Sequence, residues 1–238
     1  MTTLLLKILG NAADQQNVDV APGANSEADY ALQWVVARQD QIVAQGQATG
    51  RTLGQHLDSL EGEVLASADI VVVIPTEQVL QLSCQVPGRN SNQIRQALPY
   101  ALEEYVAADI EDMHIVPGAI KAGQTIHCAL IDHAQMAGWR DWLATYDIAA
   151  DVLVSEAQLA SATEDCTVFL NDHQATAVYE QSSATVEREE LIGLLEDLSV
   201  TRLVTVGEEL SDLERSQLDV EVAVEQNNNV ATFLLERY

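Results

Sequence analysis

Two short turns in the sequence contain residue types that could hold a phosphate group. Residues 9–12 (LGNA) follow an apolar run near the start, and residues 171–174 (NDHQ) follow another apolar run late in the chain. In a phosphate-binding turn, a glycine lets backbone N–H groups approach the anion, and an aspartate organises Mg²⁺. The first turn has no aspartate before its glycine, and the second has an aspartate but no glycine. Both are therefore predicted to be degenerate phosphate turns. Their marker residues are Gly10, Asn11, Asp172 and His173.

A metal site is the second chemistry that the residue types suggest. The potential ligands in the middle of the chain are His114, His127, Cys128, Asp132 and His133. Successive residues of a strand point to opposite faces, so His127 and Cys128 would not face one ion. The spacing also differs from that of a zinc knuckle. A buried cysteine beside partly exposed histidines is the favoured interpretation, and we expect no metal and no cofactor.

The local signatures of common catalytic sites are missing from the sequence. It has neither a GxxxxGK[ST] phosphate loop nor a GxSxG nucleophile turn. An adenosine clamp would need paired glycines after the late strand, but only Gly207 is present there. Glu208 and Glu209 follow it, and their charges would repel a triphosphate. No catalytic residue is therefore predicted, and the chain is expected not to be an enzyme.

The composition narrows the classes of partner. The 238 residues suit two or three small domains, and 47% of them are apolar, as in globular proteins. Eleven basic residues against 37 acidic ones leave a formal charge of −26. Such a charge argues against nucleic acid and anionic lipid, which bind positive surfaces. It fits either a basic protein partner or a salty habitat, and both explanations stay open.

The cysteines and the hydropathy pattern indicate a reducing compartment. Cys84, Cys128 and Cys166 are odd in number and widely spaced in apolar runs, so we expect them to be buried, reduced thiols. No run of 18 or more apolar residues occurs, and the start of the chain lacks the pattern of a secretory signal. The chain is therefore expected on the cytoplasmic side of a membrane.

The two degenerate turns belong to an order of elements that occurs twice. The first half is predicted to contain strands at 2–9, 31–38, 41–48 and 70–74, with a loop at 10–29 and a helix face made by Leu53, Leu57, Leu60 and Val64. The last third is predicted to contain strands at 167–170, 174–181, 184–187, 202–206 and 218–224, with a helix at 191–198. The order strand-strand-strand-helix-strand thus repeats about 165 residues later, which indicates a duplicated architecture.

A different block lies between the two halves. It is predicted to contain a strand at 79–86, a helix kinked by Pro99, a hairpin formed by 114–120 and 125–131, and a helix that carries Trp139 and Trp142 in a core. Residues 151–155 are expected to return to the first sheet, and residues 161–165 are the best linker. The predicted domains are 1–77 with 149–163, an inserted βαββα subdomain at 78–148, and 164–238.

The duplicated βββαβ order resembles the actin-like ATPase (ribonuclease H-like) fold, an α/β class, here with an α+β insertion. Residues 92–104 (NQIRQALPYALEE) and 108–114 (ADIEDMH) resemble protein L of the bacterial type II secretion system. The likeness covers about residues 70–160, and the strand order extends it over most of the chain. The resemblance implies a cytoplasmic scaffold that recruits the secretion ATPase, protein E, to the inner membrane without hydrolysing nucleotide. It also implies contact with protein M, a homodimer, and a longer single-pass protein of which this is the soluble part.

Two further expectations concern function. The acidic, polar edge of the insertion is predicted to contribute the surface that docks protein E, because negative charge is dense there beside the kinked helix. The residues are Glu103, Glu104, Asp109, Glu111 and Asp112. The alternative is an ATP-binding assembly protein related to actin-like components of pilus assembly.

Overall fold

The computed structural model describes residues 1–11, 29–39, 41–59, 68–160, 165–227 and 230–238. Its strands are β1 (Thr2–Asn11), β2 (Tyr30–Arg38), β3 (Gln41–Thr49), β4 (Ala68–Ile74), β5 (Leu80–Cys84), β6 (Met113–Pro117), β7 (Ile126–Asp132), β8 (Val152–Ser155), β9 (Cys166–Leu170), β10 (Gln174–Tyr179), β11 (Ser182–Glu187), β12 (Arg202–Gly207) and β13 (Glu221–Asn227). Its α-helices are α1 (Gly50–Asp58), α2 (Ser91–Leu102), α3 (His133–Thr145), α4 (Glu156–Ala160), α5 (Leu191–Asp197), α6 (Asp212–Gln217) and α7 (Val230–Leu235).

Two five-stranded sheets share one topology. The first has the order β3-β2-β1-β4-β8, and the second has the order β11-β10-β9-β12-β13. In each sheet the first three strands pair antiparallel, and the remaining two continue parallel to the first strand. The predicted duplicated βββαβ fold is confirmed. A third sheet, β5-β7-β6, is antiparallel and lies between the halves in sequence.

Both faces of β1 are buried, and its residues alternate between two cores. Leu4, Leu6 and Ile8 pack with α1 and α3 on one face, whereas Leu5 faces the second sheet. A strand covered on both sides needs apolar residues at successive positions. This requirement explains why residues 4–9 of the strand (LLLKIL) are apolar except for Lys7.

Helix α3 contributes two tryptophans to the core of the first sheet. Trp139 and Trp142 are fully buried, as predicted, and Tyr30 of β2 packs its ring against both, with centroid distances of 5.2 and 5.5 Å. The indole N–H of Trp139 donates to Gln78 at 2.8 Å. The helix therefore packs on the first sheet, although in the chain it directly follows β7 of the third sheet. The domain boundaries stay a prediction.

Helices α4 and α7 fill the space between the first and second sheets. Ala157, Ala160, Ala231, Phe233 and Leu234 are all buried there. The ring of Phe233 meets that of Phe169 on β9 edge to face, 6.0 Å between centroids. The backbone N–H of Ala231 donates to Gln33 on β2. The two halves consequently share one apolar core.

Several sequence expectations fall outside the described residues or on their margins. Helix α1 includes Leu53 and Leu57 of the predicted helix face, but Leu60 and Val64 lie outside the described residues. Most of the predicted loop and of the linker, residues 12–28 and 161–164, also lie outside them. Among the described helices, none is long and apolar enough to cross a bilayer.

The shared core yields a paired stability test. Leu234→Ala removes a fully buried side chain between the sheets, so we expect a loss of about 2–5 kcal/mol in the free energy of unfolding. Leu213→Ala, at a position that is 67% exposed on α6, is the matched control and should cost within about 0.5 kcal/mol. Urea unfolding measures both. Equal losses for the two variants would contradict the packing described for α7.

Candidate functional site

The carboxyl ends of β9 and β12 meet at one edge of the second sheet, where the late degenerate turn lies. These strands run parallel, and their last residues, Leu170 and Gly207, are paired. Ligands of α/β folds bind in crevices outside the carboxyl ends of parallel strands. The turn at 171–174 is therefore in the position where a phosphate group would be held.

This turn is closed by its own side chain. Asn171 Oδ1 accepts hydrogen bonds from the backbone N–H groups of His173, at 2.9 Å, and Gln174, at 2.7 Å. The N–H of Asn171 donates to the carbonyl of Gln174 at 3.1 Å. Such an Asx turn uses the donors that a phosphate would need. Asp172 and His173 are exposed at its tip.

Arg188 ties the turn to the segment that follows β12. Its Nη1 donates to the carbonyl of Asn171 at 2.9 Å, and its Nη2 donates to that of Glu209 at 2.6 Å. Nε and Nη2 also grip the two carboxylate oxygens of Glu214 on α6, at 2.8 and 3.1 Å. The planar guanidinium matches a carboxylate in this two-pronged way. The protein's own arginine therefore links the elements around this edge.

The ion pair between Arg188 and Glu214 is electrostatically strong. Hydrogen bonds from Arg188 lower the pKa of Glu214 to about 2, against the opposing effect of burial, and Ser211 adds further hydrogen bonds. The hydrogen bond to Glu214 raises the pKa of Arg188, and the charges of Glu208 and Asp172 act in the same direction. Both groups are therefore charged over the whole physiological range.

Gly207 has a packing role at this edge. Its φ is +103°, and a Cβ on it would lie 2.4 Å from the carbonyl oxygen of Leu170. The N–H of Glu208 donates to that same carbonyl at 3.0 Å. A glycine is required because β9 and β12 approach so closely. The exposed carboxylates of Glu208 and Glu209 leave the edge acidic, which disfavours a polyphosphate.

The early degenerate turn differs from the sequence expectation. The prediction ended the first strand at residue 9, but β1 continues through Gly10 and Asn11, which pair with Ala31 and Tyr30 of β2 beyond a bulge after Ile8. The first strand is therefore two residues longer than predicted, because β2 reaches far enough to pair with these two residues. Gly10 and Asn11 therefore lie in the sheet.

A buried ion pair at the carboxyl end of the first sheet was not predicted from the sequence. Lys7 Nζ lies 2.5 Å from Glu156 Oε1, and both side chains are less than 10% exposed. Thr76 donates its N–H and hydroxyl to Glu156 Oε2, at 3.3 and 3.1 Å, and accepts from the N–H of Ala157. Lys7 also donates to the carbonyl of Ile8. The sequence signal that could have indicated this ion pair is a single lysine inside an apolar strand.

The histidine and cysteine cluster has the geometry of ordinary packing. His127 Nδ1 is 2.7 Å from the Ser83 hydroxyl on the exposed face of the third sheet, whereas Cys128 points into its core. The ring centroids of His114 and His133 are 5.9 Å apart. In the part of the chain that the structure describes, no group of three or more histidine, cysteine or acidic side chains could hold a metal ion.

The cysteines are buried and free, as predicted. Burial is the main cause that raises the pKa of the Cys128 thiol to about 11 and that of Cys166 to about 12. Burial also raises the pKa of Cys84. Thiols that stay protonated at neutral pH are poor nucleophiles and poor metal ligands.

The predicted acidic edge forms an exposed ridge after α2. Its acidic residues are Glu103, Glu104, Asp109, Glu111 and Asp112, and all five are exposed. Four of them lie on two single 3₁₀ turns, Glu103–Tyr105 and Ile110–Asp112, and Asp109 caps the second turn. Two tyrosines accompany them: Tyr100 is 74% exposed and Tyr105 is 60% exposed. We call these seven residues the acidic ridge.

The acidic ridge is supported by an apolar underside. Ile94, Leu98 and Leu102 of α2 are buried against the third sheet, and the partly buried Val106 and Ile110 join the same core. The Asn90 side chain caps the start of α2 by accepting from the N–H of Gln93. The backbone that carries the ridge is thus anchored on a packed apolar base.

Comparison with known families identifies the chain. The family model of the type II secretion system (T2SS), protein L, matches residues 20–205, well over half of the 238 residues. The chain belongs to the protein L family. Membership confirms the resemblance seen in residues 92–104 and makes the chain a component of type II secretion, a protein-transport system.

Similar members of the protein L family come from several bacteria. Protein L of Vibrio cholerae is 28% identical over 92 residues, which cover 38% of this chain and 22% of that protein. Protein L of Dickeya chrysanthemi is 27% identical over 128 residues, which cover 52% of this chain and 30% of that protein. Protein L of Pseudomonas aeruginosa is 34% identical over 74 residues, which cover 31% of this chain and 17% of that protein. The chain matches less than a third of the length of these relatives.

Solved structures support the fold of this protein L family member. The cytoplasmic domain of EpsL, an inner membrane component of the type II secretion system of Vibrio cholerae, matches with a TM-score of 0.69 and 18% identity, over 100% of this chain and 94% of that one. The PilM-PilN type IV pilus biogenesis complex matches with a TM-score of 0.58 and 15% identity, over 96% of this chain and 88% of that one. A Bacteroides thetaiotaomicron protein with an actin-like ATPase fold matches with a TM-score of 0.50 and 9% identity, over 98% of this chain and 95% of that one.

The Arg188–Glu214 pair makes stability depend on pH with a definite sign. The pKa of Glu214 falls from 4.5 to about 2 on folding, so the pair stabilises the protein fully above pH 4.5 and progressively less down to about pH 2. Glu214→Gln should lose about 1–3 kcal/mol at pH 7. The gap between variant and parent should close as the pH falls from 4.5 toward 2.

Chemical unfolding at a series of pH values measures this gap. Glu221→Gln is the matched control. Glu221 is 69% exposed, and its carboxylate lies 3.7 Å from Arg202 Nε, a longer ion pair that solvent screens. We expect the control to change stability little at any pH. A gap for Glu214→Gln that stays constant from pH 7 to pH 2 would show that the charge of Glu214 contributes nothing.

Proposed function

We propose that this chain is a non-catalytic scaffold on the cytoplasmic face of the inner membrane, where it recruits the secretion ATPase, protein E, to the type II secretion platform. Membership of the protein L family and the likeness in fold to the cytoplasmic domain of EpsL support this proposal. Other inner-membrane platform proteins, protein M among them, are the further partners that we propose. The PilM-PilN complex shows that a protein of similar fold assembles with another protein.

The closed edge of the second sheet is the observation that carries the non-catalytic part. A nucleotide needs backbone donors for its phosphates and a site free of competing negative charge. Asn171 engages the donors of its own turn, and Arg188 is engaged by Glu214 and by two backbone carbonyls. A nucleotide would have to break these bonds and sit beside Glu208 and Glu209. We propose that the actin-like frame serves here to present protein-binding surfaces.

The acidic ridge is the surface that we propose for protein E. Exposed tyrosines flanked by charges suit an interface, because aromatic side chains bury much area at small entropic cost and charges steer the encounter. Tyr100 and Tyr105 supply the aromatic area, and five carboxylates supply the charge. The matching partner surface is a basic, partly apolar face on the N-terminal region of protein E.

Charge reversal tests the ridge. The double variant Glu103→Lys, Glu104→Lys should weaken binding of the N-terminal region of protein E several-fold at low salt, because two attractive charges become repulsive, and the effect should shrink at high salt. Isothermal titration calorimetry of the purified chain against that region measures the Kd. Tyr100→Ala should weaken binding at both salt concentrations, since burial of the ring is not screened.

The chain offers a matched control for this test. Glu189 and Glu190 are an exposed pair on the 3₁₀ turn Arg188–Glu190 of the second subdomain, and the double variant Glu189→Lys, Glu190→Lys changes the net charge by the same amount. The control should bind protein E nearly as well as the parent chain. Equal weakening by both double variants would indicate a general field effect, and unchanged affinity at the ridge would refute the proposed surface.

A second candidate function is an ATP-binding assembly protein. Only the type of fold favours it: the duplicated frame is that of the actin-like ATPase fold, which the Bacteroides protein of unknown function shares. The closed turn and the two glutamates favour the scaffold. We expect no binding of Mg-ATP at millimolar concentration, measured by calorimetry with the parent chain. Binding in the micromolar range that is lost in Asp172→Asn would establish the ATP-binding function and overturn the scaffold proposal.

A further inference from the structure

Helix α2 carries its charges in the order that opposes its own dipole. The N-terminus of a helix has a partial positive charge and its C-terminus a partial negative one, so acidic residues are favoured at the start and basic residues at the end. In α2 the first turn has no acidic residue and the last turn has no basic one. Arg89 precedes the capping Asn90 and Arg95 lies in the second turn, whereas Glu103 and Glu104 follow at the other end. This order is unfavourable to the helix, which indicates that a requirement other than stability fixes it.

The two arginines are not there to neutralise carboxylates of this chain. Both are exposed, and neither is in an ion pair with another residue that the structure describes. Residues 78–131 contain five acidic residues, and all five belong to the acidic ridge. Helix α2, which separates the arginines from the ridge, has 12 residues and is therefore about 18 Å long. Its surface is consequently bipolar, with exposed cations toward the start and exposed carboxylates beyond the end.

The surface between these two ends is uncharged. Gln96 and Tyr100 are one helical turn apart on the exposed side of α2, and Tyr100 is 74% exposed. The other side of the helix, with Ile94, Leu98 and Leu102, is buried against the third sheet, which fixes the side that faces solvent. An exposed aromatic ring between oppositely charged ends suits a partner that has an apolar centre.

We propose that the N-terminal region of protein E lies along α2 in one fixed direction, with a basic patch over the acidic ridge and an acidic patch over Arg89 and Arg95. Its apolar side chains then cover Tyr100. This inference rests on the proposed docking of protein E at the ridge and adds the order of charges that the partner carries. The reversed orientation is excluded, because it would place like charges together at both ends. A uniformly basic partner, by contrast, would be attracted by the ridge and repelled by the two arginines.

Reversal of the two arginines separates these kinds of partner by the sign of the effect. The double variant Arg89→Glu, Arg95→Glu should weaken binding of the N-terminal region of protein E several-fold at low salt, because attraction to its acidic patch becomes repulsion. The same variant makes the chain more negative, so a uniformly basic partner would bind it more tightly. Isothermal titration calorimetry measures the Kd at about 50 mM and about 0.5 M salt, and screening should remove most of the effect at the higher concentration.

A quadruple variant removes net charge as an explanation. Combining Glu103→Lys and Glu104→Lys with Arg89→Glu and Arg95→Glu keeps the formal charge at −26, because two reversals of each sign cancel. We expect it to bind protein E more weakly than the Glu103→Lys, Glu104→Lys variant does, since both ends then repel the partner. A uniformly basic partner would instead recover affinity, because the two new carboxylates attract it.

The double variant Arg38→Glu, Arg140→Glu is the matched control. Both arginines are exposed, and they lie on β2 and α3, outside α2. Their reversal changes the net charge by the same amount as reversal of Arg89 and Arg95, so binding should stay close to that of the parent chain. Urea unfolding checks the fold of each variant. Glutamate near a helix start is favourable, so the midpoint for Arg89→Glu, Arg95→Glu should be no lower than that of the parent chain.

The outcomes distinguish this inference from the docking on which it rests. Tighter binding of the arginine variant, while reversal of Glu103 and Glu104 still weakens binding, overturns the order of charges and leaves docking at the ridge standing. Unchanged affinity of the arginine variant, or equal weakening by the control, overturns the order of charges as well. Unchanged affinity after reversal of Glu103 and Glu104, or no binding of protein E by the parent chain, refutes both proposals.

Discussion

A lysine on a strand buried on both faces is the constraint around which the first half of the molecule is organised. Lys7 cannot reach water from β1, and a buried ammonium is tolerated only when it is paired and hydrogen-bonded. Glu156 supplies the opposite charge from the start of α4, and Thr76, in the 3₁₀ turn that follows β4, satisfies the second carboxylate oxygen. The ends of three parallel strands are thereby joined, and α4 is placed where it can pack between the two sheets.

In the second half, an arginine joins the elements at the carboxyl ends of the strands. Arg188 connects the turn after β9, the segment after β12 and the start of α6 through Asn171, Glu209 and Glu214. In both halves, therefore, the carboxyl edge where an α/β fold binds its ligand is occupied by internal ion pairs and hydrogen bonds. This common feature explains how a duplicated actin-like frame fits a family of secretion components, and it supports the proposed scaffold role.

The sequence predicts the parts of this fold that depend on local patterns. Apolar runs and turn residues indicate both βββαβ units, and the helical spacing of Trp139 and Trp142 indicates their burial. Helices α4, α6 and α7 are missed because five or six residues are too few to show a helical period. The partners of Lys7 and Arg188 are missed for another reason: Glu156 and Glu214 are distant in sequence, and pairing between distant charges leaves no local signal.

Hydrogen exchange followed by mass spectrometry tests the central claim most directly, because it reports on every surface in one experiment. The claim is that the chain binds protein E through the acidic ridge and does not bind a nucleotide at the turns after β9 and β12. We predict that the N-terminal region of protein E protects amides across residues 100–112, and that Mg-ATP changes nothing at residues 171–174 and 207–211. Protection of those two turns by Mg-ATP, with no protection of residues 100–112 by protein E, would contradict it.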